Sequence, residues 1–371
     1  MCSADLPPQS ALYNSATGRG TQNMIYFNGE ETSGGRAFAH VLTGVDARKS
    51  FELAHLGYAA YENVLLHPME RDMTLAMLTD DAQDGELYMY VGSKQDTGND
   101  VERAGLVGGV LYSLTVPGEP FEMDSVNGID TVERFAFKII GAPGNYPMDG
   151  AEATARGRST DGTYFPEDPN SMFESLKMAG PEDGAWDLRE GFENVFWFAT
   201  KGSYSAGSRS GGENALSRLF KLEFDDINDP TLGGTMTIVW EYMGSLDNMC
   251  FDFVGGQPKL YIQEDLGEDP VLGKVFEYDI NSGMVQEVAA FESQTFRQEG
   301  SNYLTQNEES SGIIPLPFLG SGYFAMSIQA HTSVNLSDPQ ELVEHGQRKF
   351  LIAHHVMHWK RTSTNCYCDL L

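Results

Sequence analysis

Positive charge is what this sequence has least of. Lys plus Arg number 24 against 54 Asp plus Glu, a formal net charge of −30. Such a field repels polyanions, so neither nucleic acid nor an anionic membrane surface is an expected partner. Cysteine is scarce too: four in 371 residues do not make a disulfide framework. No run of about 18 apolar residues occurs, so no membrane-spanning helix is expected. The opening Met1-Cys2-Ser3-Ala4-Asp5 has neither a basic n-region nor an apolar h-region, and no signal peptide is read there. Several catalytic devices are missing as well. There is no Gly-x-Ser-x-Gly elbow, no phosphate-cradling Gly-x-x-x-x-Gly-Lys loop, no dinucleotide fingerprint and no His-Glu-x-x-His. That removes the common serine hydrolases, P-loop enzymes and zincins.

What remains is rich in glycine and short apolar runs. Gly is 40 of 371, hydrophobic residues are 41%, and long helical periodicity is nearly absent apart from a short possibility at 171–178. Runs of Val, Ile, Tyr, Phe and Trp predict strands at 24–28, 62–66, 74–78, 86–91, 110–115, 134–140 and 194–199. Further strands are predicted at 218–223, 236–242, 259–263, 274–278, 285–291 and 323–329. Segments 141–169 and 204–212 read as loops. A weak repeat runs through the strands: an apolar strand ends in a polar or acidic pair, a loop follows, and an aliphatic–aromatic strand comes next. Thr79-Asp80-Asp81 precedes Leu87-Tyr88, Ala199-Thr200 precedes Leu219-Phe220, and Glu264-Asp265 precedes Val275-Phe276. The pattern predicts an all-β chain, a β-propeller first, with a sandwich or solenoid as alternatives. The strands are few for a closed propeller, so either some escape this reading or the chain is not whole.

The chemistry sits in carboxylates at predicted strand ends and glycine turns. Glu30-Glu31 precede a Gly pair, Glu62-Asn63 head an apolar strand, and Asp80-Asp81 and Glu264-Asp265 occupy matching places in the repeat. Glu182-Asp183 are expected in a turn, Glu308-Glu309 precede Ser310-Ser311-Gly312, and Gln329-Ala330-His331 end a strand. Carboxylates gathered at one mouth of a propeller suit Ca²⁺, and ferric iron also takes carboxylate. In a chain this acidic, a single pair is more often a solvated face. Cys2 offers a thiolate, Cys250 reads as a small buried hydrophobe, and Cys366-x-Cys368 with His354, His355 and His358 reads as an incidental tail.

The order of these segments resembles the PhoX-type alkaline phosphatases. The likeness runs through Cys2-Ser3-Ala4-Asp5-Leu6-Pro7, Gly29-Glu30-Glu31-Thr32, Tyr61-Glu62-Asn63 and Thr79-Asp80-Asp81. It continues in Pro181-Glu182-Asp183-Gly184, Asp247-Asn248, Glu309-Ser310-Ser311-Gly312, Gln329-Ala330-His331 and Glu341-Leu342-Val343-Glu344. The resemblance implies a six-bladed propeller over residues 1–350, with an irregular tail at 351–371. It implies a secreted or periplasmic monomer that hydrolyses small phosphomonoesters with a Ca²⁺/Fe³⁺ cluster, by Lewis-acid activation of the phosphate. Iron ligands carry over to Cys2, Glu62 and Glu182, with Glu62 and Glu182 catalytic, and calcium surroundings to Glu31, Asp80 and Glu309. Glu62 and Glu182 are therefore expected to face one pocket.

Two departures stand out. The family has an Asn-His-Glu segment before its cysteine, and this chain starts at the cysteine, so it is expected to be shortened at the N-terminus. The family also carries an Arg two places before the Pro-Glu glutamate, where this chain has Gly180, with Lys177 nearby. A non-catalytic Ca²⁺-binding propeller and a Ca²⁺-dependent propeller hydrolase of phytase or lactonase type are the alternatives.

Overall fold

The computed structural model describes residues 3–32, 34–119, 121–122, 128–141, 175–202, 216–267, 271–331 and 348–354. The fold is nearly all β, and the chain divides into two compact units, Met1–Glu241 and Tyr242–Leu371. No helix among the described residues is long and apolar enough to cross a membrane.

The first unit holds a four-stranded antiparallel sheet in the order Ala4–Asp5, Ile25–Gly29, Ala37–Val41, Ser50–Glu52. Two further meanders follow. One is Tyr61–Leu66, Met73–Asp80, Leu87–Ser93, Val110–Thr115, and the other is Pro181–Trp186, Val195–Thr200, Ser217–Phe224, Gly234–Tyr242. The long strand Val132–Gly141 joins these two into one nine-stranded sheet. Its first residues pair with Gly234–Tyr242 and its later ones with Val110–Thr115. The second unit holds the meander Leu246–Val254, Gln257–Glu264, Lys274–Asp279, Met284–Ala290. Beside it in sequence is the three-stranded sheet Glu308–Pro315, Tyr323–Ala330, Arg348–His354.

The most apolar of these strands are buried on both faces. Val195–Thr200 reads Val-Phe-Trp-Phe-Ala-Thr, and every residue of it is buried. A strand covered on both sides loses polar alternation and becomes a continuous apolar run. Phe198 stacks on Phe220 at 4.8 Å between ring centroids, and Leu87, Met77 and Met89 belong to the same core. Each such side chain contributes about 1.5–3 kcal/mol on full burial.

Every run predicted as a strand is one, within a few residues at its ends. The strands that escaped are Ala37–Val41, Ser50–Glu52, Pro181–Trp186, Leu246–Val254, Glu308–Pro315 and Arg348–His354, together with the short Ala4–Asp5, Tyr13–Asn14, Arg19–Gly20, Gln83–Gly85 and Met178–Ala179. Glu182-Asp183, expected in a turn, stand inside a strand. The expected helix at 171–178 is not found at its described end, where Lys177 and Met178 are in β pairing. Residues 142–169, 204–212 and the tail from 355 onward, with Cys366 and Cys368, lie outside the described residues.

Three of the meanders open on a strand of one kind. Register breaks between Tyr61 and Val64, between Pro181 and Gly184, and between Leu246 and Met249. The residues that fall in the break are Glu62-Asn63, Glu182-Asp183 and Asp247-Asn248. A bulge takes residues out of the ladder and re-aims their side chains. Each unit thus has acids turned out of the sheet plane at the head of a meander.

Candidate metal centre

In the first unit the two bulges are tied to each other. Asn63 Nδ2 donates to Asp183 Oδ1 at 2.8 Å. The same Asp183 oxygen accepts the Gly184 N–H at 2.7 Å, and Asn63 Oδ1 accepts the Val64 N–H at 2.8 Å. With the second residue of each bulge locked, the first residues fall side by side. Carboxylate oxygens of Glu62 and Glu182 lie within 4.8 Å of each other, and so do those of Glu31, Glu62 and Asp81. Glu62 is 1% exposed and Glu182 4%, while Glu31 is exposed.

Lys201 brings a positive charge to this group. Its Nζ lies 3.3 Å from Glu182 Oε1 and is hydrogen-bonded to Asp81. Its backbone N–H donates to the Gly180 carbonyl at 2.9 Å, which fixes where the side chain starts. Below it, the buried Glu122 accepts from the Ala179 N–H at 2.8 Å and from the Thr200 hydroxyl at 3.1 Å. That one carboxylate holds both segments that carry the site.

Electrostatics at the centre favour a cation. Burial pushes the Glu62 carboxyl up to about 8 against the bond from Ser3, and the charges of Glu31, Asp81 and Asp183 push the same way. Burial, then Asp183, raises Asp5 to about 7. Burial alone lowers Lys201, but Glu182 and Asp81 outweigh it and hold the ammonium well above the ordinary lysine range. Removing a carboxylate from water disfavours its charged form, and like charges nearby add to that cost.

The second unit carries its own group, Asp247, Asp265 and Glu309, again with oxygens within 4.8 Å. Asp265 and Glu309 are brought together by an antiparallel bridge. Gln329 Nε2 donates to Glu309 Oε1 at 2.8 Å, and His331 Nε2 lies 3.0 Å from Oε2. The Gln329-Ala330-His331 strand end therefore orients Glu309.

The expected site residues are thus placed as follows. Glu31, Glu62 and Glu182 come together in the first unit, and Glu309 joins an acid group in the second. Asp80 does not join: its Oδ1 accepts the Ala60 N–H at 3.0 Å and its Oδ2 the Tyr88 hydroxyl at 3.1 Å. Asp81 takes that place. Cys2 lies outside the described residues. Cys250 packs with Val254, Tyr261 and Phe324 as a small hydrophobe. The sequence reading named Asp81, Asp265 and Asp247 within acidic motifs without assigning any of them as a ligand, and it did not name Lys201. The signal for Asp247 was present: an acid followed by Asn or Asp at the head of a strand occurs at 62–63, 182–183 and 247–248.

The structure also explains Gly180. Its φ is +71°, and a Cβ built there would meet Lys201 Cε at 2.8 Å and Cγ at 2.9 Å. An L-residue pays about 1–2 kcal/mol for that backbone region alone. Gly180→Arg is therefore expected to destabilise the protein by about 2 kcal/mol or more, since it must also displace the Lys201 stem. Urea midpoints of the two proteins measure it, and equal midpoints contradict it.

No protein-family model matches the sequence, and no curated protein matches it. Among solved structures it is similar to PhoX of Pseudomonas fluorescens, solved in complex with vanadate, a transition state analogue. That match has 13% identity and a TM-score of 0.56, over 95% of this chain and 75% of that one. It is also similar, at 10% identity and a TM-score of 0.32, to a putative 6-phosphogluconolactonase from Bacteroides uniformis. That match covers 91% of this chain and 84% of the other. The first match shows the fold: this chain has a β-propeller-like fold.

Proposed function

We propose that the chain is a metal-dependent phosphomonoesterase. The observation that carries this reading is the pairing of buried Glu62 and Glu182 on two interlocked bulges, with Lys201 beside them. The fold it shares with a vanadate-binding PhoX supports the same class. The donors fit the implied ions: hard carboxylate oxygens, close enough to share a cation, in a place where Glu62 is costly to ionise without one. Glu31, Glu62, Asp81 and Glu182 would hold Ca²⁺ or Fe³⁺ in the first unit, and Asp247, Asp265 and Glu309 Ca²⁺ in the second. Cys2 stands as a further iron ligand in this reading. When bound, such ions supply Lewis-acid polarisation of a phosphate oxygen. The chain's own part is orientation. Asn63 and Asp183 lock the bulges, Glu122 fixes the Gly180 and Lys201 segments, and the buried walls keep water from screening the charges. The natural setting consistent with this chemistry is secreted or periplasmic.

A second reading is favoured by one feature: the described groups consist of carboxylates alone. That donor set suits Ca²⁺ without iron, as in a calcium-dependent propeller hydrolase of another ester. An assay with a chromogenic phosphomonoester, run before and after chelation and with Ca²⁺ and Fe³⁺ restored singly and together, separates the two. Turnover that needs both ions supports the first reading. Phytate or lactone turnover with Ca²⁺ alone, and none on the monoester, supports the second.

A further inference from the structure

Lys201 is more than a counter-ion in this geometry. An ammonium has three N–H donors, and Asp81 and Glu182 engage two of them. The side chain keeps 38% of its surface exposed, while Asp81 and Glu182 keep 9% and 5%. The lysine side chain as a whole is therefore more open to solvent than the two carboxylates it pairs with. Its stem crosses the space that a side chain at position 180 would fill. Glycine there gives the lysine its path, and Glu122 holds the two backbone segments that set its length of reach.

We propose that Lys201 grips an anionic oxygen of the substrate and selects dianionic phosphomonoesters over singly charged diesters. The inference rests on the phosphomonoesterase reading and adds the residue that sets its substrate class. Carboxylates left uncompensated by bound cations repel a dianion. A fixed ammonium at the rim offsets that repulsion, and does so more for two charges than for one. Lysine acts here as a point charge with rotatable donors, which suits a tetrahedral phosphate presented in more than one orientation.

The test compares the wild type, Lys201→Met, Lys201→Gln and Lys201→Arg, each with Ca²⁺ and Fe³⁺ supplied. Inorganic phosphate is the probe for binding, by the rise in melting temperature it causes. Lys201→Met and Lys201→Gln are expected to lose the phosphate-induced rise while keeping the rise caused by Ca²⁺. Their KM for a phosphomonoester should increase about tenfold or more with kcat changed much less, as for a contact made equally in ground and transition states. The preference for monoester over diester should shrink by a similar factor, and Lys201→Arg should restore most of both. A full phosphate-induced rise and unchanged KM in either neutral variant would overturn the assignment, and the two variants guard against one failing to fold. If the wild type itself neither turns over a phosphomonoester nor responds to phosphate, the phosphomonoesterase reading falls, and this inference with it. Turnover in the wild type with no effect at Lys201 removes only the inference.

Discussion

Stripping the protein of bound cations is expected to lower its melting temperature and to make its stability fall as pH rises. A ligand held at about 100 times its Kd stabilises the native state by about 2.7 kcal/mol. For a domain of 150–250 residues each 1 kcal/mol is worth about 2–4 °C, so the expected loss is about 5–10 °C. The pH sign follows from the buried carboxyls. Glu62 goes from an ordinary 4.5 to about 8, and Asp5 from 3.8 to about 7. With a folded pKa above the unfolded one, the native state holds more protons across that window. Stability is then fully present below about pH 4 and is lost as pH rises toward 8, by at most about 1.4 kcal/mol per pH unit for each group. A bound cation takes the proton's place, so the loaded protein should show a flat profile over the same range and bind Ca²⁺ more tightly at higher pH. Thermal melts at pH 5, 6, 7 and 8, with and without exhaustive chelation, read both effects. A chelated protein that is as stable at pH 8 as at pH 5 would contradict the account.

Glu62→Gln is expected to act in opposite directions in the two states. Without cations, the amide removes a buried carboxylate that its neighbours repel. The variant should be more stable than the wild type at pH 8 by about 2–4 kcal/mol. With cations, it lacks a ligand. The Ca²⁺-induced rise in melting temperature should shrink sharply, and metal-dependent turnover should fall by at least about 100-fold. The crossing of the two stability curves distinguishes a ligand from a structural acid. A carboxylate that served only packing or hydrogen bonding would be destabilised by the change in both states.

Much of the fold was legible because its strands are apolar. Val195–Thr200, Leu87–Ser93 and Gln257–Glu264 announce themselves by aromatic and branched residues. Three of the strands that escaped carry candidate site residues near their heads. Pro181–Trp186, Leu246–Val254 and Glu308–Pro315 begin with Pro, Asp, Asn, Glu, Ser and Gly, residues that disfavour strands. They are strands because a neighbouring strand pairs with them, and in the first two a bulge takes the acids out of the ladder. The same logic limits the site. Glu62 and Glu182 were read from motif order, and their meeting depends on Asn63 bonding to Asp183, a contact invisible along the chain. The choice between Asp80 and Asp81 depends on strand parity. Asp80 points to Tyr88 and the Ala60 N–H, so its neighbour points to Lys201. Lys201 carried no sequence signal at all, because the vacancy it fills is the missing side chain of Gly180.

The central claim is that Glu62 and its neighbours hold a cation. The most direct measurement is a crystal structure of the protein grown with Ca²⁺, with anomalous scattering used to identify the ion. The account predicts a peak bonded to Glu62 at about 2.3–2.6 Å and shared with Glu182 or with Glu31 and Asp81. Lys201 should still border the group. Density that is empty at Glu62 while Ca²⁺ is saturating, with Lys201 still bridging Asp81 and Glu182, would contradict it.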